Sequence, residues 1–440
     1  MPPAGTAPVA YAGAAMVPTP FPDFSSPLAA HPLAPLFDAC GPLHFADEPL
    51  YTPLCRLIAR SGTLLGWLDA APAGQRRPNL VLAALHEAVL AEAEAQPGEP
   101  PQGLAAWYAS VGGRHSAHDA ALPAALGAFV AQHGERLRRH LAERATQTNE
   151  VGRCAVLRPA LDHIARQHGP RLALFDFGCS AGLNLTVDRQ SLHVTAWPPA
   201  PDPRVAPGVG PAPDDGPADR LHCHWQWVDA DGTPVAPPQA AAWPWPEGPL
   251  PPPAWQLLAR TGCDPAPANL ADADALRWLR ACLWPSDTRR RRRLDRAVTL
   301  ARELAPPIHQ AVDGLAVLQD WLAHLPPATT PVLFNSWVLA YLSPAELAWH
   351  RARVLALVQQ HGLLWLSAED RRITRQLTGL CWPDDLAPPL PGAAGPADSH
   401  TLWTLTEPGP QAPVHRLLAN SHPHGTWVQW RVDQPPAAAQ

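Results

Sequence analysis

The chain has 440 residues, of which 46% are hydrophobic, 16% are charged and 57 are proline, and its formal net charge is −6. This length exceeds the size at which one hydrophobic core stops growing, so two domains plus some irregular sequence are expected. All 33 basic residues are arginines, which excludes Schiff-base chemistry on lysine, a P-loop and the strand lysine of protein kinases. The acidic balance argues against nucleic-acid binding, for which a basic face is expected.

Signals for export, membrane insertion and metal binding are weak. No arginine precedes Arg56, so the N-terminus lacks the positive region of a secretory signal. The longest apolar helical stretch, Asn79 to Ala91, is too short to span a bilayer. The 8 cysteines are scattered without a C-x-x-C pair. We therefore expect a soluble cytoplasmic protein with reduced thiols and no membrane contact.

The first third of the chain has helical periodicity. Residues 1–45 are rich in Ala and Pro and are predicted to be a disordered arm, because prolines recur from Pro2 to Pro35. Residues 46–168 are predicted to form an all-helical domain that caps the following one. Its helices are expected at residues 50–68, from Pro78 onward, at about 120–143 and from about Asn149.

The period changes at residue 169, where strand and helix patterns begin to alternate. Leu172 to Phe175 is a short apolar run closed by Asp176, as expected of a buried parallel strand. Over 169–432 we predict an α/β domain with a doubly wound, mostly parallel sheet and an antiparallel C-terminal edge hairpin. A Pro/Trp-rich insertion with one strand-like stretch, Leu221 to Val228, interrupts it at about 195–255, and 433–440 are predicted to be a disordered tail. Later strands are expected at 256–263, 309–312, 332–335, 363–367, 402–405, 414–419 and 425–432.

The predicted first strand ends in the turn Asp176-Phe-Gly-Cys-Ser-Ala-Gly182. Glycines at the carboxyl end of a strand let backbone amides approach a nucleotide cofactor, and the N-terminus of a following helix, expected at 183–190, favours an anionic group. The spacing does not match the G-x-G-x-x-G dinucleotide fingerprint, so NAD is disfavoured. The form D-x-G-x-S-x-G resembles the first motif of class I S-adenosylmethionine-dependent methyltransferases, with Ser180 in place of the middle glycine. This resemblance implies that the doubly wound sheet is Rossmann-like and of the methyltransferase type.

The same turn also satisfies the G-x-S-x-G nucleophile elbow of α/β-hydrolases. Asp313 and His422 or His424 follow Ser180 in the order of a catalytic triad. A hydrolase, however, has several strands and an oxyanion-hole loop ahead of its nucleophile, whereas everything upstream here is predicted to be helical. The methyltransferase interpretation is therefore preferred, and the hydrolase stays as the alternative.

Six motifs of the chain form a recognisable set: Gly74 to Asn79, Tyr108 to Gly113, Thr146 to Cys154, the glycine turn, Trp278 to Pro285 and His422 to Gly425. Together they resemble an uncharacterised bacterial family, domain of unknown function 2332. The resemblance covers roughly residues 50–432 and implies a methyltransferase-like fold, but no settled activity or substrate.

The resemblance to methyltransferases implies candidate cofactor ligands. An acidic residue at the end of the second strand would accept the ribose hydroxyls, and Asp264 suits that role although it lies 88 positions after Asp176. Asp188 is a nearer but helical alternative. Asp313 resembles the carboxylate beside the adenine. The alternative for each aspartate is an ordinary helix N-cap. The predicted cofactor-binding set is Asp176, Gly178, Ser180, Gly182, Asn184, Asp264, Asp313, Asn149 and Arg153.

The polar segment Thr146 to Arg153 has two interpretations. It is either a helix cap, with Thr148 or Asn149 as the cap and Glu150 in the first turn, or a cover for the glycine turn. In the second case Arg153 would pair with the methionine carboxylate of the cofactor. Thr148, Asn335 and His424 are predicted to face the substrate.

Two further patterns are given ordinary interpretations. His222 and His224 are expected to point to opposite faces of a strand, so no metal site is predicted. The run Arg289 to Arg293 is interpreted as a solvated helix face. The sequence thus predicts an S-adenosylmethionine-dependent methyltransferase acting on a small molecule. The alternatives are a serine hydrolase using Ser180 and a non-catalytic protein that binds S-adenosylmethionine.

Overall fold

A computed structural model describes residues 21–45, 48–147, 149–196, 220–231, 233–235, 248–383 and 400–432. It divides into two compact units, residues 1–145 and 146–440. The predicted boundary at 168 therefore lies too late in the chain. The helix over 154–168 belongs with the second unit, because Val156, Leu157, Leu161 and Ile164 pack in the same core as Leu172 of the first strand.

All regular secondary structure in the described residues of the first unit is helical, as predicted. Its helices are α1 (Ala34–His44), α2 (Tyr51–Arg60), α3 (Gly62–Trp67), α4 (Pro78–Ala95) and α5 (Leu122–Glu143). The prediction of a disordered arm over 1–45 is wrong for α1, because Pro35 sits in the first turn of that helix, where its missing N–H is not needed. Residues 1–20 lie outside the described ranges. Within those ranges, no helix of either unit combines the length and apolarity needed to cross a bilayer.

The second unit alternates strands and helices. After α6 (Cys154–His168) come β1 (Arg171–Phe177), β2 (Leu192–Ala196), β3 (Leu221–Val228), β4 (Gly248–Pro249) and β5 (Gln256–Asp264). Then follow α7 (Ala273–Ala281), α8 (Thr288–Leu304), β6 (Ile308–Gln310), α9 (Gly314–Ala323), β7 (Thr330–Ser336), α10 (Pro344–His361) and β8 (Leu364–Glu369). The chain ends in α11 (Arg371–Thr378), β9 (Thr401–Glu407), β10 (Val414–Ser421) and β11 (Trp427–Arg431).

All eleven of these strands form one sheet, in the order β4-β2-β3-β11-β10-β9-β8-β7-β1-β5-β6. The five strands β6, β5, β1, β7 and β8 are mutually parallel. From β1 the chain moves outward to β5 and β6, and then returns to the other side of β1 for β7 and β8. The order therefore reverses between β1 and β7, and ligands of open α/β sheets bind beyond the carboxyl ends of the strands at such a switch point.

The C-terminal hairpin is antiparallel, as predicted, but it does not lie at the edge of the sheet. β10 pairs with β11, and β11 pairs in parallel with β3, so the hairpin is internal. The segment at about 195–255 is an insertion in the prediction, with one strand-like stretch, Leu221 to Val228, and that stretch is β3. The segment also supplies β4, and β2 begins just before it. Its Pro/Trp-rich composition gave no indication that these strands extend the sheet beyond the hairpin.

Helices cover both faces of the sheet. On one face, Leu174 of β1 and Phe334 of β7 pack in a core with α6, α7 and α8. On the other face, Phe175 of β1 and Leu333 of β7 pack with α9, α10 and α11. Successive strand residues point to opposite faces, so both faces of each central strand are apolar, as expected for buried parallel strands.

The role of β3 in the core can be tested at Trp225, whose side chain is fully buried and stacks on Trp430 of β11 with ring centroids 5.5 Å apart. Trp225→Ala should lower the free energy of unfolding by about 3–5 kcal/mol, the usual cost of emptying a buried tryptophan site. Trp349→Ala, at a tryptophan that is 52% exposed, should cost about 1 kcal/mol or less. Urea denaturation measures both, and equal small losses would mean that β3 is peripheral to the folded core.

Candidate functional site

The turn after β1, residues 178–182, lies at the switch point of the sheet, and part of its backbone is bound to β5 and to itself. The amides of Gly178 and Cys179 donate to the carbonyl of Cys263, at 2.8 and 3.1 Å. The amide of Gly182 donates to the Cys179 carbonyl at 2.8 Å. These bonds tie the turn to the end of the neighbouring strand.

The other two amides of the turn bind side chains from distant parts of the sequence. The amide of Ser180 donates to Asp264 Oδ2 at 2.9 Å, and the amide of Ala181 donates to Asn149 Oδ1 at 3.2 Å. All five amides therefore have protein acceptors. The expectation that they face a cofactor is wrong for this structure, because the protein itself supplies the acceptors.

The two glycines of the turn are needed for its conformation and for packing. Gly178 has φ +73° and Gly182 has φ +68°, in the left-handed region that favours glycine. A β-carbon on Gly178 would overlap the side chain of Val338, and one on Gly182 would overlap that of Ile308. The space beside these glycines is filled by protein side chains, so both residues support the fold of the turn.

The segment after the turn is a 3-10 helix, Leu183–Arg189, and not the predicted α-helix. This helix has only 7 residues and is therefore too short for its N-terminus to provide the expected site for an anion. Asn184, a predicted cofactor ligand, accepts a hydrogen bond from Cys154 Sγ at 3.6 Å. Asp188 forms a two-pronged ion pair with Arg260 of β5 at 2.6 and 2.8 Å, which gives it a structural role.

Asp264 lies at the end of β5 and beside the glycine turn, as the sequence suggested. Its Oδ2 accepts from the Ser180 amide, and its Oδ1 accepts from the Ala266 amide at 2.8 Å. The side chain is partly exposed, and a carboxylate offers about four lone-pair positions, so it can accept further hydrogen bonds. Asp264 lies 88 positions after Asp176, but the intervening strands β2, β3 and β4 belong to the other end of the sheet. β5 therefore pairs directly with β1.

Asp176, near the end of β1, is only 2% exposed. Its Oδ2 has no hydrogen-bond partner among the residues that the structure describes. Burial, together with the nearby carboxylate of Asp264, raises its pKa to about 8, although the charge of Arg153 opposes that shift. Asp176 is therefore largely uncharged at neutral pH and does not present an exposed carboxylate to a ligand.

The segment before α6 covers the glycine turn, in agreement with the second of the two interpretations. Asn149 Nδ2 donates to Ser180 Oγ at 2.9 Å, and Ser180 Oγ donates to Gln147 Oε1 at 2.7 Å. Glu150 is the N-cap residue of a 3-10 helix, and its side chain accepts a hydrogen bond from the Gly152 amide at 2.9 Å. The capping interpretation had assigned this role to Thr148 or Asn149. Thr148 lies outside the described residues.

Arg153 is buried, 4% exposed, and it binds backbone carbonyls. Its Nε donates to Pro423 O at 3.1 Å, and its Nη1 donates to Ser336 O at 3.4 Å. Burial lowers its pKa, whereas the carboxylates of Glu150 and Glu369 act in the opposite direction. These contacts join the segment before α6 to the end of β7 and to the loop 422–425. They do not support the prediction that Arg153 pairs with a cofactor carboxylate.

Asn335, at the end of β7, was predicted to face the substrate, and this is wrong. It is fully buried, and its Nδ2 donates to Ser367 Oγ at 3.0 Å and Glu369 Oε1 at 2.8 Å. Its Oδ1 accepts from Trp365 Nε1 at 2.6 Å. Both Nδ2 and Oδ1 of the side-chain amide are hydrogen-bonded inside the sheet, so Asn335 positions the side chains around it.

Glu369, at the end of β8, was missed by the sequence analysis, in which this strand ended at Ser367. Its Oε1 accepts from the amides of Val338 at 3.1 Å and Leu339 at 3.2 Å, in addition to Asn335. The residue is fully buried, and this burial raises its pKa to about 7. Glu369 thus fixes the loop after β7, which begins with Trp337 at φ +53°.

Asp313 has the capping role that was the alternative to adenine binding. Its Oδ1 accepts from the Ala316 amide at 3.0 Å at the start of α9, and its Oδ2 pairs with Arg353 at 3.2 Å. The side chain is 51% exposed. It lies in the loop after β6, and β6 is separated from β1 by β5 in the sheet.

The loop His422 to Gly425 packs backbone to backbone against the segment before α6. A β-carbon on Gly152 would overlap the carbonyl oxygen of His424, and one on Gly425 would overlap the carbonyl oxygen of Gly152. Both glycines are therefore required by the close approach of two chains. His424 itself is partly exposed, and its ring makes an edge contact with Trp284 at 6.1 Å.

The predictions about histidine faces and the arginine run need correction. His222 and His224 are two residues apart on β3 and share one face, with ring centroids 4.6 Å apart. Even so, the described part of the chain contains no group of three His, Cys, Asp or Glu that could hold a metal ion. In the arginine run, Arg290 is 9% exposed and pairs with Glu150 at 2.7 Å, so that residue is not on a solvated face.

The raised pKa of Asp176 predicts a specific dependence of stability on pH. An aspartate with an ordinary pKa of 3.8 in the unfolded chain and about 8 in the folded one binds more protons when folded. The free energy of unfolding should therefore fall as pH rises between about 4 and about 8. Asp176→Asn should flatten that fall, because the amide cannot ionise. Urea denaturation across this range measures the difference, and parallel pH profiles for the two proteins would contradict the assignment.

Comparison with known proteins identifies a family. A comparison with curated proteins finds no match to this chain. A family model described as "Uncharacterized protein conserved in bacteria (DUF2332)" matches residues 44–430, and this range includes the glycine turn, Asp264 and the loop His422 to Gly425. The chain therefore belongs to this family of uncharacterised bacterial proteins.

Proposed function

We propose that the chain binds S-adenosylmethionine beyond the carboxyl ends of β1 and β5 and transfers its methyl group to a small molecule. The contact between Asp264 Oδ2 and the Ser180 amide carries the proposal. It brings an acidic residue from the end of the neighbouring parallel strand to the turn after β1. A carboxylate in that position is suited to accept the two ribose hydroxyls of an adenosyl cofactor.

The topology of the sheet supports the same proposal. β1 is central, β5 and β6 lie on one side of it, and β7 and β8 lie on the other. Antiparallel β9 follows β8 in the sheet. We propose that this is a methyltransferase-type Rossmann-like sheet. The switch point between β1 and β7 would then lie beside the cofactor, and Asp313, in the loop after β6, would lie on the adenine side.

The cofactor would be held mainly by side chains, because the amides of the glycine turn have protein acceptors. Asp264 and Asp313 are both accessible and have unused lone pairs. Asn149 and Ser180 would act indirectly, since they hold the turn in position. The bound sulfonium is already activated for transfer, so the protein needs chiefly to align the acceptor. We assign no catalytic base.

The serine hydrolase alternative has weaker support. Ser180 does have φ +50°, which agrees with the strained turn of a nucleophile elbow. Its hydroxyl, however, binds Gln147 and Asn149, and no described histidine hydrogen-bonds to it. Asp313 pairs with Arg353, and no hydrogen bond joins it to His422 or His424 within the described ranges. The upstream described residues are helical, which also argues against the hydrolase fold.

Calorimetry tests the proposed cofactor. S-adenosylmethionine and S-adenosylhomocysteine should both bind with micromolar affinity. Asp264→Ala should weaken binding by about 10- to 100-fold, as expected from the loss of hydrogen bonds to a charged group. Asp320→Ala, at a carboxylate that is 81% exposed on α9, is the matched control and should leave affinity unchanged.

Failure of both compounds to bind at millimolar concentration would overturn the proposal. Equal affinity of the Asp264→Ala variant and the unmodified protein would overturn the role of Asp264. Transfer of a labelled methyl group to candidate small molecules then separates an enzyme from a binding protein. Labelling by a fluorophosphonate that is lost in Ser180→Ala would instead favour the hydrolase.

A further inference from the structure

The chain that follows β7 lies over the switch point between β1 and β7, and the proposed function gives it no role. The side chain of Val338 packs directly against Gly178 of the turn after β1, because a β-carbon on Gly178 would overlap it. Ligands of open α/β sheets bind in the crevice at such a point. In this structure a side chain of the protein therefore fills the β7 side of that crevice.

The residue before Val338 has a strained backbone. Trp337 has φ +53°, in the left-handed region, which is unfavourable for a residue with a bulky side chain. Four residues other than glycine have positive φ within the described ranges, and two of them, Ser180 and Trp337, follow the neighbouring strands β1 and β7. Such strain persists only where the surroundings fix the backbone, and it is concentrated at ligand clamps and switch regions.

Hydrogen bonds to β8 and to the start of β9 hold this strained segment in place. The indole Nε1 of Trp337 donates to Thr401 Oγ1 at 2.7 Å. The amides of Val338 and Leu339 donate to Glu369 Oε1 at 3.1 and 3.2 Å. Within the part of the chain that the structure describes, no hydrogen bond joins the segment to the turn after β1. Its contact with that turn is the apolar one of Val338, so the two can separate without loss of a hydrogen bond between them.

Only two residues of this segment are free to move without disturbing the core. Leu339 is fully buried among the side chains on the α10 face of the sheet and fixes the far end. Asn335 fixes the near end through its hydrogen bonds inside the sheet. Trp337 and Val338, between these two anchors, are both partly exposed. We call residues 337–338 the flap.

We propose that the flap closes the switch point in this structure and that a ligand entering the crevice between β1 and β7 opens it. In the open state Trp337 takes an ordinary negative φ, its indole leaves Thr401, and Val338 moves off Gly178. The backbone strain at Trp337 favours opening, whereas the bonds to Thr401 and Glu369 favour closure. Two opposing local effects of this kind are what a two-state element requires.

The position of the flap relates it to the candidate cofactor site. The flap lies on the β7 side of the turn after β1, and Asp264 lies on the β5 side of the same turn. A ligand that binds Asp264 and extends across the turn therefore meets Val338. The flap itself does not depend on the identity of that ligand; an adenosyl compound as the ligand rests on the proposed function.

The first experiment uses the full chain without any ligand. Hydrogen exchange, read at single residues by mass spectrometry, follows the amides of Trp337 and Val338. Both should exchange faster than the amides of Leu333 and Phe334 in β7, because the flap opens without unfolding of the sheet. Flap amides that exchange no faster than those of Leu333 and Phe334 would show that the segment opens only with the sheet, and would overturn the proposal.

A matched pair of threonine variants on β9 tests the bond that keeps the flap closed. Thr401→Val removes the acceptor of the Trp337 indole and should raise the exchange rate of the flap amides about three- to tenfold, as expected from the loss of one hydrogen bond. Thr406→Val, at an equally buried threonine that bonds His415 Nδ1 at 2.8 Å, should change that rate less than twofold. Unchanged exchange at Phe334 shows that the sheet is intact in both variants. Equal acceleration of the flap by both variants would overturn the proposal.

The second experiment adds S-adenosylhomocysteine as the probe. A saturating probe should hold the flap open and raise the exchange rate of its amides at least threefold. Val338→Ala, which removes the side-chain atoms that pack on Gly178, should bind the probe about three- to tenfold more tightly. Slower exchange with bound probe, or unchanged affinity of Val338→Ala, would overturn the role of the flap in ligand entry. Failure of the probe to bind at all would overturn the proposed cofactor, while the ligand-free comparison of Thr401→Val with Thr406→Val would still decide whether the flap exists.

Discussion

Two hydrogen bonds from distant segments hold the turn after β1, and the candidate site depends on them. Asp264 accepts from the amide of Ser180, and Asn149 accepts from the amide of Ala181. Ser180 has positive φ, a conformation that costs a non-glycine residue about 1–2 kcal/mol. A buried amide left without an acceptor would cost a further 1–3 kcal/mol or so. The strained turn is therefore stable only while the end of β5 and the segment before α6 both contact it.

This arrangement changes how a ligand can be recognised at the switch point. In a glycine-rich nucleotide site, free amides approach the ligand, but here Val338 and Ile308 fill the space beside the glycines. A ligand bound at this point would therefore have to contact side chains at the strand ends. Of the three carboxylates there, Asp176 and Glu369 are buried with raised pKa values, and Asp264 is partly exposed. Asp264 is thus the carboxylate that a polar ligand reaches at lowest desolvation cost.

The sequence predicted the parallel half of the sheet well, since short apolar runs ending in polar residues mark buried strands. The prediction failed at β3, where the local composition was misleading, and at Asn335, whose role depends on tertiary contacts. Trp225 and Trp227 of β3 form part of the core, although the prolines around them had indicated an insertion. Asn335 ends a strand as catalytic residues do, yet its amide is consumed by Trp365 and Glu369. No local pattern reveals such partners, because they come from a neighbouring strand.

Because the chain has no lysine, arginine is the side chain that supplies a permanent positive charge to pair with buried carboxylates. Arg136 binds the buried Glu87 through two nitrogens, Arg260 binds Asp188 in the same way, and Arg290 pairs with Glu150. In these three pairs the chain supplies a carboxylate for the guanidinium, because an unpaired charge near the interior would be costly, whereas the buried Arg153 binds the backbone carbonyls of Pro423 and Ser336.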